Sequence, residues 1–245
     1  MKKVLILGAT SAIAQESAKY FAKDGDQIFL VGRNEDKLKS IREDLRVRGA
    51  SKVALSTFDL NDTDQHQNIL DQVKKELSSI DIVLIAYGTL SDQKKSQENF
   101  GEAEKEIRTN FLSVVSLLTL LSNEFESRRK GTIAVISSVA GDRGRQSNYI
   151  YGSSKGALNI FLQGLRNRLY ASNVHVLTIN PGFVDTPMTA HLNKNFLFAS
   201  SECVGKKIYQ AIGEKKNVVY IPFFWRFIMC IIKSIPEFIF KRLKL

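Results

Sequence analysis

Val4-Leu5-Ile6-Leu7 runs without a polar residue into Gly8-Ala9-Thr10-Ser11-Ala12-Ile13-Ala14, and a helical pattern with Ala14, Ala18, Phe21 and Ala22 on one side follows. Short apolar runs recur at Gln27–Val31, Lys52–Phe58, Asp81–Ile85, 132–137 and His175–Ile179, with a last one at Val218–Ile221. Between them lie helical stretches at about 34–47, 62–78, 99–125 and 148–170. This alternation predicts an α/β fold: a doubly wound, mostly parallel (Rossmann-type) sheet with helices on both faces, in a single domain. At 245 residues the chain is long enough to bury a large core of this kind. A strand, a turn of small residues and a helix present helix N-terminal amides to a phosphate, which makes Gly8, Thr10, Ser11 and Ile13 candidate ligand contacts.

The chemistry is expected around Tyr151-Gly152-Ser153-Ser154-Lys155, with Ser138 upstream at the end of a buried strand. On a helix, Tyr151 and Lys155 are four residues apart and share a face. An ammonium beside a phenol favours the phenolate, so the tyrosine pKa is expected below its usual ~10 and the phenol to serve as a proton donor near neutral pH. A Tyr-x-x-x-Lys pair alone also occurs on surface helices. Here it stands with Ile136-Ser137-Ser138-Val139-Ala140-Gly141 before it and Asn180-Pro181-Gly182-Phe183-Val184-Asp185-Thr186-Pro187-Met188 after it. In wording and order these blocks resemble the short-chain dehydrogenase/reductase family, from residue 4 to about residue 220.

The resemblance implies an NAD(P)-dependent oxidoreductase with Ser138, Tyr151, Lys155 and Asn110 as its catalytic positions. Asn110 stands in Thr109-Asn110-Phe111, where the family has an asparagine supporting a water near the lysine; a buried asparagine at a backbone kink is the plain alternative. Asp59, followed by Leu60, matches the aspartate that meets the adenine ring, although it can equally cap the next helix. Pro181, Val184 and Thr186 match the segment that holds the nicotinamide end, and residues 187–201 are expected to form a mobile substrate lid. Two departures stand out. The glycine-rich turn keeps only Gly8, with Ala12 and Ala14 in the later glycine positions, so it must use right-handed backbone. Where the family has Asn-Asn-Ala-Gly, this chain reads Ile85-Ala86-Tyr87-Gly88 and keeps only the glycine. The phrase Ala86-Tyr87-Gly88-Thr89-Leu90-Ser91-Asp92-Gln93 is similar to the branch with decaprenylphosphoryl-2-ketopentose reductases, whose substrates are lipid-linked keto-sugars.

No acid occupies 31–34, where an NAD-preferring fold holds the ribose hydroxyls. Arg33 stands there instead, suited to a 2′-phosphate, so NADP (NADPH) is expected and NAD is the other option. The arginines of Gly141-Asp142-Arg143-Gly144-Arg145 either meet an anionic substrate or are solvated.

The net charge is +10, which calls for an anionic partner, and no nucleic-acid motif accompanies it. Residues 222–245 carry five of the basic side chains (Arg226, Lys233, Lys241, Arg242, Lys244) among aromatic and aliphatic ones. A division into 1–221 (reductase domain) and 222–245 (basic aromatic segment) follows. Lys and Arg interrupt the apolar run before the ~18 residues of a spanning helix, so the segment is expected on an anionic membrane surface or in a homo-oligomer interface. No signal-peptide pattern appears and the two cysteines suggest no disulfide framework. A cytoplasmic protein is expected, peripheral on the inner face of the membrane. None of His66, His175 and His191 is given a role, and there is no metal-ligand spacing. The expected activity is carbonyl reduction of a small-molecule or lipid-linked ketone. The alternative is a non-catalytic dinucleotide sensor or scaffold, which would be marked by loss of the Tyr or the Lys.

Overall fold

The computed structural model describes residues 1–190 and 192–243. Its strands are β1 (Lys3–Leu7), β2 (Gln27–Gly32), β3 (Lys52–Thr57), β4 (Ile82–Ile85), β5 (Gly131–Ile136), β6 (Val174–Pro181), β7 (Val184–Asp185), β8 (Ala199–Ser200) and β9 (Val218–Ile221). Seven of them form one sheet in the order β3-β2-β1-β4-β5-β6-β9, every neighbouring pair parallel, while β7 and β8 make a small separate ribbon. The helices are α1 (Ala12–Lys23), α2 (Glu35–Val47), α3 (His66–Leu77), α4 (Gln93–Glu98), α5 (Phe100–Ile107), α6 (Ser113–Arg128), α7 (Tyr149–Tyr170), α8 (Ser201–Gly213), α9 (Trp225–Ser234) and α10 (Glu237–Phe240).

Successive strand residues point to opposite faces, and the two cores follow that alternation. Val4, Ile6, Ile28, Leu30 and Leu84 pack with Phe21 of α1, Leu38 of α2 and Ile208 of α8. Leu5, Leu7, Phe29, Val31 and Val83 pack with Val73 of α3, Leu117 of α6 and Leu162 of α7. The chain winds outward from β1 to β3 and then returns to the other side of β1 as β4. The connections that leave β1 and β4 therefore run to opposite faces of the sheet, and this switch point is where an open parallel sheet has its crevice.

Three boundaries differ from the sequence expectation. The helix expected at 99–125 is interrupted by a π-turn over Arg108–Leu112, which contains Asn110. β6 runs on through Asn180 and Pro181 because these pair with Tyr220 and Ile221 of β9. The helix α8, which the strand-centred reading passed over, packs tightly on α1: a Cβ on Gly205 would lie 2.6 Å from that of Glu16. Among the described residues, no helix is long and apolar enough to cross a membrane.

Candidate active site

The C-terminal ends of β1, β2, β4, β5 and β6 open into one cleft with room for about 400 Å³. Every residue assigned to catalysis or cofactor binding from the sequence lines it: Gly8, Thr10, Ser11, Ile13, Arg33, Asp59, Leu60, Gly88, Asn110, Ser138, Tyr151, Lys155, Pro181, Val184 and Thr186.

At the β1 end, Gly8 has φ +84, which a side chain resists, and a Cβ there would lie 2.6 Å from Tyr87 Cβ. The remaining turn needs no such freedom, since Ser11 sits at φ −62 and Ala12 already begins α1. This is how the chain dispenses with the later glycines. Arg33 follows β2, exposed, and no ion pair among the described residues engages it. Asp59 accepts from the Asn61 amide at 3.0 Å in a local turn, not from the first turn of α3.

In the middle of the cleft, α7 presents Tyr151 and Lys155 on one face, as its spacing predicts. Lys155 is buried, donates to the Ile136 carbonyl at 3.2 Å, and its Nζ lies 5.8 Å from the Tyr151 ring centroid. The Ser138 hydroxyl accepts from the Ala140 amide at 3.1 Å, which leaves its own proton free to point at the Tyr151 phenol. Asn110 is held on three sides: its Oδ1 accepts from the Thr89 amide at 3.0 Å, and its Nδ2 donates to the Thr89 carbonyl at 3.0 Å and to Glu106 Oε1 at 3.3 Å. Gly88 is the residue that permits this approach, because a Cβ there would stand 2.6 Å from Asn110 Oδ1 and 3.5 Å from Lys155 Nζ.

One expectation is reversed. The Tyr151 pKa is not depressed but pushed up to about 12, first by burial, with the Ser138 hydrogen bond opposing and the negative charge of Glu106 adding to the rise. Lys155 is pushed down to about 8, again by burial, and the Glu106 charge counteracts that fall. Burial is the reason in both cases, and the charge that modulates it comes from Glu106, which sequence reasoning did not flag. It is buried, bound by the Ser91 amide (3.1 Å to each oxygen), the Ser91 hydroxyl and Asn110, and burial raises its own pKa. Its spacing of four from Asn110 was the available signal.

Arg143 does not face the cleft as an anion contact. It donates to the Ile232 and Ile235 carbonyls at 2.6 Å and to that of Lys233 at 3.2 Å, pairs with Glu237 at 3.0 Å, and stacks on the Phe240 ring at 3.7 Å. Its loop thus fastens the C-terminal segment. That segment inserts Trp225, 3% exposed, into the cleft wall beside Val139 and Met229, edge-on to Phe183 at 5.6 Å. Gly182 accommodates the indole: a Cβ on it would sit 1.9 Å from Trp225 Nε1. Of the segment expected as a lid, Met188, Thr189 and Leu192 line the cleft and Phe198 stacks on Phe183 at 5.2 Å. His66 bridges Ser116 and the Leu60 carbonyl, and His175 bonds the Lys216 carbonyl. His191 and Lys244 lie outside the described residues.

Residues 2–196 match the family model for short chain dehydrogenases. An uncharacterised oxidoreductase of Mycobacterium tuberculosis is 33% identical over 240 residues, covering 98% of this chain and 96% of the relative. The chain belongs to the short-chain dehydrogenase family. An uncharacterised oxidoreductase of Streptomyces coelicolor is 30% identical over 243 residues (99% of this chain, 96% of the relative), and a 3-oxoacyl-[acyl-carrier-protein] reductase of Chlamydia muridarum is 29% identical over 194 residues (79% and 78%). In three dimensions the chain resembles a tryptophan variant of actinorhodin polyketide ketoreductase crystallised with NADPH, with a TM-score of 0.81, 19% identity and coverage of 91% of this chain and 97% of that one.

Proposed function

We propose that this short-chain dehydrogenase is an NADPH-dependent carbonyl reductase. The observation that carries it is the convergence of Ser138, Tyr151, Lys155 and Asn110 in one cleft that also holds a strand–turn–helix phosphate site and the unpaired Arg33. The residues present fit the cofactor. The N-terminus of α1 suits the pyrophosphate, Arg33 suits a 2′-phosphate, and Pro181, Val184 and Thr186 border the nicotinamide end. Bound NADPH supplies the hydride to the ketone carbon.

The chain's own residues handle the proton. Ser138 donates a hydrogen bond to the carbonyl oxygen and Tyr151 delivers the proton as the alkoxide develops. With its pKa near 12, Tyr151 is fully protonated at neutral pH, the form an acid needs, and an alkoxide is a stronger base than a phenolate. Lys155, protonated below about 8, stabilises the phenolate left behind and binds the ribose; Asn110 supports resupply of the proton. NADPH consumption with ketones tests this. Tyr151→Phe is expected to bind NADPH like the wild type and to lose at least a hundredfold in kcat. Near-normal turnover by that variant would falsify the mechanism.

The substrate side favours a hydrophobic, lipid-linked ketone met at a membrane surface. Phe223, Phe227, Ile231, Phe238 and Ile239 are exposed on and around α9 and α10, with Arg226, Lys233, Lys241 and Arg242 among them. An apolar face ringed by cations suits anionic headgroups. The branch resemblance of Ala86–Gln93 supports the same reading. Because Trp225 belongs to the cleft wall, deleting residues 222–245 would damage the site as well as the surface. Phe227→Asp combined with Ile231→Asp leaves Trp225 in place. Wild type is expected to sediment with anionic liposomes at low salt and the double variant to stay in the supernatant. Wild type that does not sediment would refute membrane docking and leave this face to a second subunit.

A further inference from the structure

Three cationic side chains line the cleft among the described residues: Arg33, Lys155 and Arg145. The first two are accounted for by the cofactor reading, and Arg145 is not. It lies in the loop between Ser138 and α7, so it enters the cleft from the β5 side. The phosphate-binding turn after β1 is two strands away across β4, about 10 Å at the usual strand spacing. Arg145 is therefore badly placed for the cofactor's phosphates and well placed for what is reduced beside Ser138 and Tyr151.

Its partners are missing where its neighbour's are complete. Arg143, two residues earlier, has three carbonyls, a carboxylate and an aromatic face. Arg145 forms no ion pair among the described residues, and its Nε is buried with no hydrogen-bond partner. Burial disfavours the charged guanidinium, yet arginine has no accessible neutral form to retreat to. A half-buried, unpaired cation is costly in the free protein, and an incoming oxyanion lowers that cost.

We propose that Arg145 is an oxyanion subsite, so that the ketone reduced here carries a phosphate-ester or carboxylate group close to its carbonyl. This rests on the reductase reading and deepens it. It also explains how a cleft with the apolar walls of Val139, Phe183, Met188 and Trp225 would take a charged head while an apolar remainder leaves toward the exposed face around α9.

Calorimetric titration of the NADP⁺-saturated protein with phenyl phosphate, benzoate and benzyl alcohol tests the subsite without turnover. Wild type is expected to bind one or both anions and Arg145→Gln to bind them roughly 10- to 100-fold more weakly, with benzyl alcohol showing no such difference. The phosphate and carboxylate arms tell the two kinds of substrate apart. Arg145→Lys keeps the charge but not the planar fork, and an intermediate loss is expected. The thermal melt of each variant reports its fold. In turnover, the ratio of kcat/KM for levulinate to that for ethyl levulinate is expected to fall by a similar factor in Arg145→Gln; a merely structural role would lower both together. Anion affinity that is absent in wild type, or equal in wild type and Arg145→Gln, overturns the proposal. Failure to bind NADP⁺ would instead strike the reductase reading, and the same titrations on cofactor-free protein would still interrogate Arg145.

Discussion

Removing the indole of Trp225 should loosen the C-terminal segment and the cleft together. A tryptophan buries up to ~250 Å², which at ~25 cal/mol/Å² corresponds to about 6 kcal/mol. Residual burial in the unfolded chain removes 10–40% of such a figure, leaving about 4 kcal/mol. The indole N–H is buried without an acceptor, so its loss returns about 1 kcal/mol. Trp225→Ala is thus expected to destabilise by about 3 kcal/mol, at the low end of the range for large aromatics. At ~2–4 °C per kcal/mol for a chain of this size, the melting temperature should fall by about 6–12 °C. Far-UV circular dichroism is the measurement of choice, because Trp225 is the sole tryptophan and fluorescence would vanish with it. The same variant should raise the ketone KM, since Gly182 and Phe183 lose the surface that backs them. Phe227→Ala, on an exposed position of the same helix, is the control and should shift stability by less than ~0.5 kcal/mol. A Trp225→Ala protein that melts within about one degree of wild type, with an unchanged ketone KM, would show that α9 is not docked where its contacts put it.

Two further outcomes concern the charges of the site. Arg33→Ala should weaken NADPH by ~1.5–3 kcal/mol and leave NADH nearly unchanged, read by titrating each cofactor; equal losses, or a wild-type preference for NADH, would refute the 2′-phosphate assignment. In the reductive direction kcat/KM should hold steady up to about pH 8 and fall above it. Lys155 has its pKa lowered to about 8, so it is the charged form that is lost as pH rises. Glu106→Gln removes the anion that sustains that charge, so the alkaline limb should move to lower pH. A limb that stays in place in Glu106→Gln would remove Glu106 from the site's electrostatics.

Much of the fold was legible because each strand is a short apolar run ended by a small or polar turn, and parallel strands buried on both faces have no other composition open to them. The grouping of the candidate residues in one cleft was legible for a different reason: the Tyr151–Lys155 spacing and the strand-end position of Ser138 are local, and the sheet brings strand ends together whatever the loops do. Less local features were missed. Val204, Ile208 and Ile212 follow a helical spacing that was there to read in α8, but the eye for strands passed over it. The π-turn at Arg108–Leu112 was open to the sequence only as a backbone kink at Asn110, since its form arises from tertiary packing that turns Asn110 toward Thr89 and Gly88. The two fates of Arg143 and Arg145 could not be told apart in the sequence. They are separated by a single residue, and only the C-terminal carbonyls reaching Arg143 distinguish them.

The reversed tyrosine pKa shows which effect wins in this site. Proximity to an ammonium argues for an acidic phenol, and that argument assumes that solvent treats both groups alike. Here both are desolvated, and burial opposes charge on each: the phenolate is disfavoured, and so is the ammonium that would support it. Glu106 then divides the outcome. Its negative charge keeps Lys155 closer to protonated and drives Tyr151 further toward its neutral form, so the resting pair is a phenol beside a cation. That is the state required for reduction, where the phenol must hold its proton until the carbonyl oxygen becomes basic. It is a poor state for oxidation, which begins with a phenolate taking a proton from an alcohol. The buried carboxylate therefore biases the site toward ketone reduction at neutral pH. In the oxidative direction activity should climb as pH rises, opposite in sign to the reductive limb, and Glu106→Gln should narrow the gap between the two directions by making the phenolate easier to form. Oxidation that is already maximal at neutral pH in the wild type would mean that the Lys155 ammonium, and not burial, governs the phenol.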